Sequence, residues 1–93
     1  MNSKENSTFK VRLSRRAESY LRRVERSVQK RIAVAIENIR QNPTQGFHIK
    51  PLEGREQEFR YYLGNLRIVY AVDLEARLID INNIGPRGDI YKK

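Results

Sequence analysis

Two kinds of hydrophobic periodicity divide the chain into segments. From Thr8 to Leu13 apolar and polar residues alternate, which is typical of a β-strand with one face in the core. From Ala17 to Ile39 the apolar residues recur every three or four positions, which indicates helix. Ser14, between the two segments, is a residue type that favours a helix N-cap. Residues 1–7 are polar and show neither period, so we predict a disordered tail before one domain over residues 8–93.

The helical stretch is too long for a single helix in so small a protein. About 28 residues of helix would span roughly 42 Å, whereas a compact chain of this size has a radius of gyration near ~12 Å. We therefore predict a helical hairpin that breaks around Arg26-Ser27, with Ser27 as the N-cap of the second helix. Asn42-Pro43 should end that helix, because the residue before a proline disfavours the helical conformation.

A β-hairpin is the clearest local prediction. Gly64-Asn65 separates two runs of alternating apolar and polar residues, and Gly-Asn is a common two-residue hairpin turn. Such a turn pairs Tyr62 with Arg67, and this register puts the apolar side chains of both strands on one face. The same register places Arg60, Tyr62 and Arg67 together on the other face.

Two more strands are predicted beside the hairpin. Residues 45–51 form a short strand before it, and residues 78–84 form a final strand that contributes Ile79 and Ile81 to the core and ends at Gly85-Pro86. A turn near residues 73–76 connects the hairpin to the final strand. The element order predicts an α+β fold with an N-terminal strand, a helical hairpin and an antiparallel meander of three to four strands. We expect an antiparallel sheet with the helices on one face.

Composition points to an anionic partner and excludes several kinds of chemistry. With 19 Lys and Arg against 11 Asp and Glu, the formal net charge is +8, which favours nucleic acid, an acidic protein or an anionic surface. No apolar run is long enough for a transmembrane helix or a signal peptide, so we expect a cytoplasmic protein without a membrane partner. The chain has no Cys, and His48 is its one histidine, so we expect neither a metal nor another cofactor. We predict that His48 is a surface residue at the start of a strand.

The outward-facing hairpin residues suit phosphodiester chemistry. Arginine binds phosphate bidentately and stays charged, and tyrosine stacks on a base or moves a proton. RNA cleavage by a ribose 2′-OH needs such groups and requires no metal. Cross-strand stacking of Arg on Tyr would be a purely structural alternative. The candidate catalytic residues are Arg60, Tyr62, Arg67, Arg87 and Tyr91.

Many basic residues lie off the apolar stripe of the helical region. Runs of charge usually mean a solvated helix face, although a surface that follows RNA phosphates is the alternative. Arg15 and Arg16 in a first helical turn oppose the helix dipole, which gives a weak indication of use. The candidate RNA- or ribosome-binding residues are Lys50, Arg15, Arg22, Arg23, Arg26, Lys30, Lys92 and Lys93.

Three motifs in this order resemble the RelE/ParE superfamily of bacterial toxins, and more closely its RelE-type branch. They are residues 50–54 (KPLEG), residues 59–70 (FRYYLGNLRIVY) and residues 84–91 (IGPRGDIY). The element order is similar too, so the resemblance covers nearly the whole chain from Thr8 onward. It implies a fold like that of compact microbial ribonucleases and a toxin that a cognate antitoxin silences. It also implies cleavage of mRNA in the ribosomal A site, beside 16S rRNA, leaving a 2′,3′-cyclic phosphate.

The resemblance also implies roles for single residues. Arg67 resembles the family arginine that follows the hairpin turn and contacts the phosphate. Arg87 resembles the arginine that helps to protonate the leaving oxygen or stabilises the transition state. Tyr91 resembles the terminal tyrosine that orients the substrate or stacks on it.

This chain departs from the family pattern at the proton-transfer groups. RelE-type enzymes carry lysines on the outward face of the strand before the turn, where this chain has Arg60 and Tyr62, and arginine is a poor general base. Pro86 also replaces the His or Lys that often precedes the arginine. Four residues are candidates for the general base: Tyr62, Lys50, Glu58 and His48.

Two other functions are compatible with the resemblance. One is a ParE-like inhibitor that binds DNA gyrase and performs no chemistry. The other is a relative that binds the ribosome without cutting mRNA. The arginine-rich hairpin and Tyr91 count against the gyrase inhibitor, whereas the missing lysines keep the non-cutting ribosome binder open as an alternative to the ribosome-dependent endoribonuclease.

Overall fold

The computed structural model describes residues 9–52 and 57–87. Within these residues two helices and five strands follow one another in the order β1 (Lys10–Leu13), α1 (Arg15–Arg23), α2 (Arg26–Gln41), β2 (Ile49–Pro51), β3 (Glu58–Leu63), β4 (Leu66–Asp73) and β5 (Leu78–Pro86). The strands form one sheet in the order β1-β5-β4-β3-β2. This architecture confirms the predicted α+β fold. The predicted disordered tail lies outside the described residues.

The β2–β5 meander is antiparallel throughout, as predicted, and the hairpin has the predicted register. Tyr62 pairs with Arg67, and Leu63 pairs with Leu66 across the turn. Gly64 at φ +61° is the turn residue with a positive φ, as in a type II′ hairpin turn, where glycine meets no steric penalty.

The prediction of a wholly antiparallel sheet was wrong, because β1 joins the sheet parallel to β5. Val11 pairs with Ile79, and Leu13 pairs with Ile81. Parallel neighbours need a long crossover connection, and the helical hairpin is the first part of the chain that connects β1 to the rest of the sheet. The alternation of residues within β1 gives no information on this direction, so the pattern could not reveal it.

The helical hairpin is confirmed, but its predicted break at Arg26-Ser27 was two residues too late. The chain is extended at Val24 and at Glu25, which is the N-cap of α2 and makes no side-chain capping bond. Ser27 is therefore inside the helix and does not cap it. The side-chain amide of Gln29 donates from Nε2 to the carbonyl of Leu21 at 2.8 Å, and this bond holds the end of α1 against α2. At this break Val24 packs against the core.

The core lies between the helices and one face of the sheet. Ile32, Ala35 and Ile39 of α2 are fully or almost fully buried, as are Ile79 and Ile81 of β5, which were predicted to join the core. Tyr70 is also completely buried, and its hydroxyl donates to the carbonyl of Pro43 at 2.7 Å. This bond ties the loop after α2 to the middle of the sheet.

The final strand continues two residues beyond its predicted end. Gly85 pairs with Arg67, and Pro86 pairs with Leu66. β1 ends opposite Ile81, so within the described residues no strand pairs with the last part of β5 on that side, and a proline without an N–H is tolerated there. This extension carries the chain to the β3–β4 turn. Neither helix in the described part of the chain has the length and apolar character needed to cross a bilayer.

Candidate functional site

The sheet face opposite the helices carries the predicted hairpin cluster. Alternation along β3 directs Arg60 and Tyr62 to this face, and the cross-strand pairing of Tyr62 with Arg67 adds the second guanidinium. Nη1 of Arg60 donates to the hydroxyl of Tyr62 at 2.9 Å. The Arg60, Tyr62 and Arg67 side chains are thus brought together, as the register predicted.

Arg87 reaches the same cluster from the end of β5. Its guanidinium carbon lies 4.6 Å from the centre of the Tyr62 ring, in cation–π contact. Two bonds hold the residue at the hairpin turn: its backbone N–H donates to the carbonyl of Asn65 at 2.9 Å, and its Nη1 approaches the carbonyl of Gly64 at 3.4 Å. Tyr62 therefore contacts Arg60 through its hydroxyl and Arg87 through its ring.

The arginines of the cluster differ in exposure. Arg67 is only 3% exposed, and its Nη1 donates to the carbonyl of Pro86 at 2.9 Å. Arg87 is exposed. A cation in a site with little water interacts more strongly with a nearby anion than one in solvent. Arg67 thus supplies a fixed charge, whereas Arg87 supplies one that is accessible from solution.

Three candidates for the general base lie on this face, and the fourth does not. Lys50 of β2 pairs with Arg60, and Glu58 precedes Arg60 by two residues on the same side of β3. Tyr62 is at the centre of the cluster. His48 is exposed just before β2, as predicted, but its ring lies 5.3 Å from that of Tyr61, which faces the helices. The contacts of His48 therefore direct it away from the cluster.

The predicted basic helix residues form a broad exposed surface. Arg15, Arg22, Arg23, Arg26 and Lys30 are all exposed. Arg22 approaches Glu18 at 3.9 Å, a distance at which an exposed pair contributes little. Arg23 also lines a cleft with Arg67, so it connects this surface to the sheet-face cluster. The predicted site residues Tyr91, Lys92 and Lys93 lie outside the described residues.

Sequence reasoning left Arg31 out of the site. Nη2 of Arg31 stands 2.8 Å from the position that a β-carbon on Gly64 would occupy, so this guanidinium of α2 lies against the β3–β4 turn. Arg31 was one basic residue among many on the helices, and no spacing rule distinguished it. Its position depends on how α2 crosses the sheet, which the sequence pattern does not specify. Two further residues line the same cleft as Arg67. Arg16 was noted for its position against the helix dipole but was not assigned to the site, and Tyr20 was counted only with the apolar residues of the helical stretch.

Metal-binding groups do not cluster in the described part of the chain. No three His, Asp or Glu side chains there are close enough to hold a metal ion. The guanidinium and phenol groups contact one another on the sheet face, and the pairing of the strands places the Lys50 ammonium and the Glu58 carboxylate on the same face. Together they can bind a phosphodiester, neutralise the charge that develops on it, and transfer protons.

Comparisons with known proteins agree with this fold. Residues 11–91 match the family model described as ParE toxin of type II toxin-antitoxin system, parDE. A curated relative from Methanocaldococcus jannaschii, proposed to be the toxin RelE1, is 31% identical over 86 residues, which are 90% of this chain and 96% of the relative.

Solved structures are similar in fold. A chain in the archaeal RelE–RelB complex from Pyrococcus horikoshii OT3 superimposes with a TM-score of 0.75 at 24% identity, covering 87% of this chain and 97% of that one. The isolated RelE toxin of E. coli gives a TM-score of 0.74 at 18% identity, covering 84% of this chain and 83% of that one. The chain belongs to the RelE/ParE superfamily of toxins from type II toxin–antitoxin systems. Within that superfamily it is a RelE-type toxin.

Proposed function

We propose that this toxin is a ribosome-dependent mRNA endoribonuclease that needs no metal. The observation that carries the proposal is the convergence of Arg60, Tyr62, Arg67 and Arg87 on one sheet face. An inhibitor that performs no chemistry has no need for a phenol held between two guanidinium groups. A nuclease that uses the ribose 2′-OH does need phosphate-binding cations next to a proton-transfer group.

The proposed reaction is an internal transfer on the RNA. The 2′-oxygen loses its proton and attacks the adjacent phosphorus, and the bond from phosphorus to the 5′-oxygen of the next nucleotide breaks. The products are a 2′,3′-cyclic phosphate and a 5′-hydroxyl, whose oxygen gains a proton. Arg67, buried and fixed through Pro86, would hold a non-bridging phosphate oxygen. Arg87, exposed beside Tyr62, would stabilise the leaving oxygen, and Tyr91 would orient the substrate.

The general base is proposed to lie on the same face. Tyr62 is the central candidate because it contacts both Arg60 and Arg87, and Glu58 and Lys50 are the alternatives. This set contains no histidine, which is the side chain that most often serves as a general base. Such a site depends on precise placement of the 2′-OH, which the ribosome would supply in its A site. Free RNA is therefore expected to be a poor substrate.

The proposed partners follow from the family and from charge. The Pyrococcus and Mycobacterium tuberculosis relatives were solved in complex with RelB antitoxins. We expect a cognate antitoxin for this chain as well, with acidic character that complements the net charge of +8. The basic helix surface, with Arg15, Arg22, Arg26 and Lys30, together with Lys92 and Lys93, would contact 16S rRNA while the sheet face receives mRNA, and all of this would occur in the cytoplasm.

The proposal is tested by mapping mRNA ends in a translating bacterial extract. Purified toxin should create new 5′ ends at in-frame positions, seen by primer extension, and only when ribosomes are present. Arg87→Ala should abolish these ends. Arg77→Ala is the matched control, because Arg77 stacks on Phe9 away from the cluster; it should cut normally.

Each other outcome points to a different function. Intact mRNA with blocked translation would indicate a toxin that binds the ribosome without cutting. Intact mRNA with normal translation would reject the ribosome as target, and DNA gyrase supercoiling would then be assayed, because the matching family model is that of ParE toxins.

A further inference from the structure

A cleft lies beside the catalytic cluster, between α1 and the last part of β5. Its volume is about 350 Å³, which is at the small end of ligand pockets, roughly 300–1,000 Å³. All of its charged lining residues are arginines. Tyr20 contributes a hydroxyl, Asn83 contributes a side-chain amide, and the end of β5 contributes backbone. The residues that matter for the argument are Arg16, Tyr20, Arg23, Arg67, Asn83 and Gly85.

The helix supplies one wall of this cleft through its periodicity. Arg16, Tyr20 and Arg23 are spaced by four and three residues, so they lie on one face of α1. Arg16 and Arg23 are exposed, while Tyr20 also packs against the core. Glu18 lies off this face and approaches Arg22 instead. Among the residues that the structure describes, no carboxylate lines the cleft, so its charge is purely positive.

Arg67 links the cleft to the proposed site of cleavage. It lines the cleft, and it is also the cross-strand partner of Tyr62 in the catalytic cluster. Gly85, opposite Arg67 in β5, has no side chain, and a β-carbon there would come within 3.6 Å of Nη1 of Arg67. Arg67, the proposed phosphate ligand, therefore lines the cleft beside a residue that has no side chain. A strand whose scissile phosphate contacts Arg67 can place the neighbouring phosphate in the cleft.

We propose that this cleft binds the backbone phosphate next to the scissile one on the mRNA strand. Arg16 and Arg23 are its cationic ligands, and the Asn83 amide and the Tyr20 hydroxyl are available to hydrogen-bond the phosphate or its ribose. This subsite rests on the proposed nuclease function. It extends that function by assigning roles to Arg16 and Tyr20. A cleft of this size fits one phosphate and its sugar, and it excludes a protein helix.

The test uses ribosomes programmed with mRNA that carries one uncharged methylphosphonate linkage, placed on either side of the scissile phosphate. We compare the wild-type toxin with R16Q/R23Q. The matched control is K10Q/R77Q, which removes the same charge at the opposite end of β5. The measurements are the Kd for programmed ribosomes, the KM and kcat of cleavage, and the salt dependence of binding.

We expect R16Q/R23Q to raise KM and Kd about 10- to 100-fold with little change in kcat, as loss of charge-assisted hydrogen bonds predicts. The slope of log affinity against log salt should decrease in magnitude by about 0.7 for the lost phosphate contact. One of the two methylphosphonates should lower the affinity of the wild-type toxin for programmed ribosomes by about the same factor as the double substitution does. That methylphosphonate should not lower the affinity of R16Q/R23Q any further. The control variant should bind and cut as the wild type does, and thermal unfolding should be similar for all three proteins.

Two results would overturn the subsite. In the first, R16Q/R23Q binds more weakly than the wild type by the same factor on normal mRNA and on mRNA with either methylphosphonate. The arginines would then contact ribosomal RNA instead of the mRNA phosphate. If R16Q/R23Q behaves like K10Q/R77Q, the cleft contacts no phosphate at all. A wild-type toxin that binds programmed ribosomes without cutting would refute the nuclease function, but the dependence of Kd on the methylphosphonate would still decide on the cleft. Absence of binding would refute both.

Discussion

The guanidinium carbon of Arg87 lies 4.6 Å from the centre of the Tyr62 ring. This contact joins the end of β5 to the β3–β4 hairpin, and the bond from the Arg87 N–H to Asn65 fixes its geometry. Arg60 approaches the hydroxyl of the same tyrosine. Tyr62 consequently contacts both Arg60 of the hairpin and Arg87 at the end of β5. Removal of its hydroxyl is therefore the most informative single substitution.

Tyr62→Phe should lower kcat for ribosome-dependent cleavage by about 10²-fold or more, the usual contribution of a proton-transfer group. The ring under Arg87 remains, so KM should change little. Tyr61→Phe is the matched control because it removes the same atom from the preceding residue. The Tyr61 hydroxyl lies on the helix side of the sheet, where it accepts a bond from Asn38. Single-turnover primer extension on programmed ribosomes measures both variants.

Full activity in Tyr62→Phe would exclude its hydroxyl from proton transfer. Glu58→Gln and Lys50→Gln would then be compared across pH, because the residue that acts as base sets the acidic limb of the rate profile. Equal losses in Tyr62→Phe and Tyr61→Phe would mean that a general loosening of β3, and not chemistry, explains the result.

The hairpin cluster was predictable because short-range rules determine it. A two-residue Gly-Asn turn fixes the register, and the period of two then assigns Arg60, Tyr62 and Arg67 to one face. The core positions of Ile79 and Ile81 follow from the same alternation. The capping role of Ser14 is equally local, and its side chain accepts a bond from the Ala17 N–H at 3.0 Å.

Features that depend on how elements meet in space were not predictable. The parallel direction of β1 and the approach of Arg31 to Gly64 depend on the crossing of the helices over the sheet. The helix breaks at Val24-Glu25, where Val24 packs against the core, and the capping preference of Ser27 gave no information on this tertiary contact. Arg67 is buried where β5 continues past the end of β1 and α1 lies beside it, an arrangement that local sequence rules do not specify.

Gly64→Ala should destabilise the protein and disturb the site together. Gly64 has φ +61°, a conformation that costs an L-residue about 1–2 kcal/mol, and its new β-carbon would displace Arg31. We expect the free energy of unfolding in urea to fall by about that amount, and cleavage to fall further than the folded fraction does. Asn65→Ala in the same turn is the control and should remain within about 0.5 kcal/mol of wild type. A neutral Gly64→Ala would contradict the turn geometry.

Glu25→Ser should stabilise the protein. Glu25 has the extended conformation of an N-cap but makes no side-chain bond to the first turn of α2. A serine hydroxyl there can accept such a bond, which contributes about 0.5–1 kcal/mol. Ser14→Ala at the start of α1 should have the opposite effect, costing about 0.5–2 kcal/mol, because it removes a bond that exists. Urea denaturation of both variants checks the pair; a loss of stability in Glu25→Ser would show that the glutamate has a stabilising role at the helix start.

The buried Tyr70 should make the stability of the wild-type protein depend on pH, and Tyr70→Phe should remove this dependence. Burial, with a smaller contribution from nearby Tyr61, raises the pKa of Tyr70 well above its ordinary value of 10.0. Above about pH 10 the unfolded chain therefore releases this proton while the folded protein keeps it, so the free energy of unfolding falls as pH rises. At neutral pH, Tyr70→Phe should cost about 1–2 kcal/mol through loss of the bond to Pro43. The difference between wild type and variant in urea denaturation should shrink above pH 10, because the phenylalanine has no proton to release. A constant difference from pH 7 to pH 11 would mean that the Tyr70 hydroxyl ionises as easily in the folded protein as in the unfolded chain.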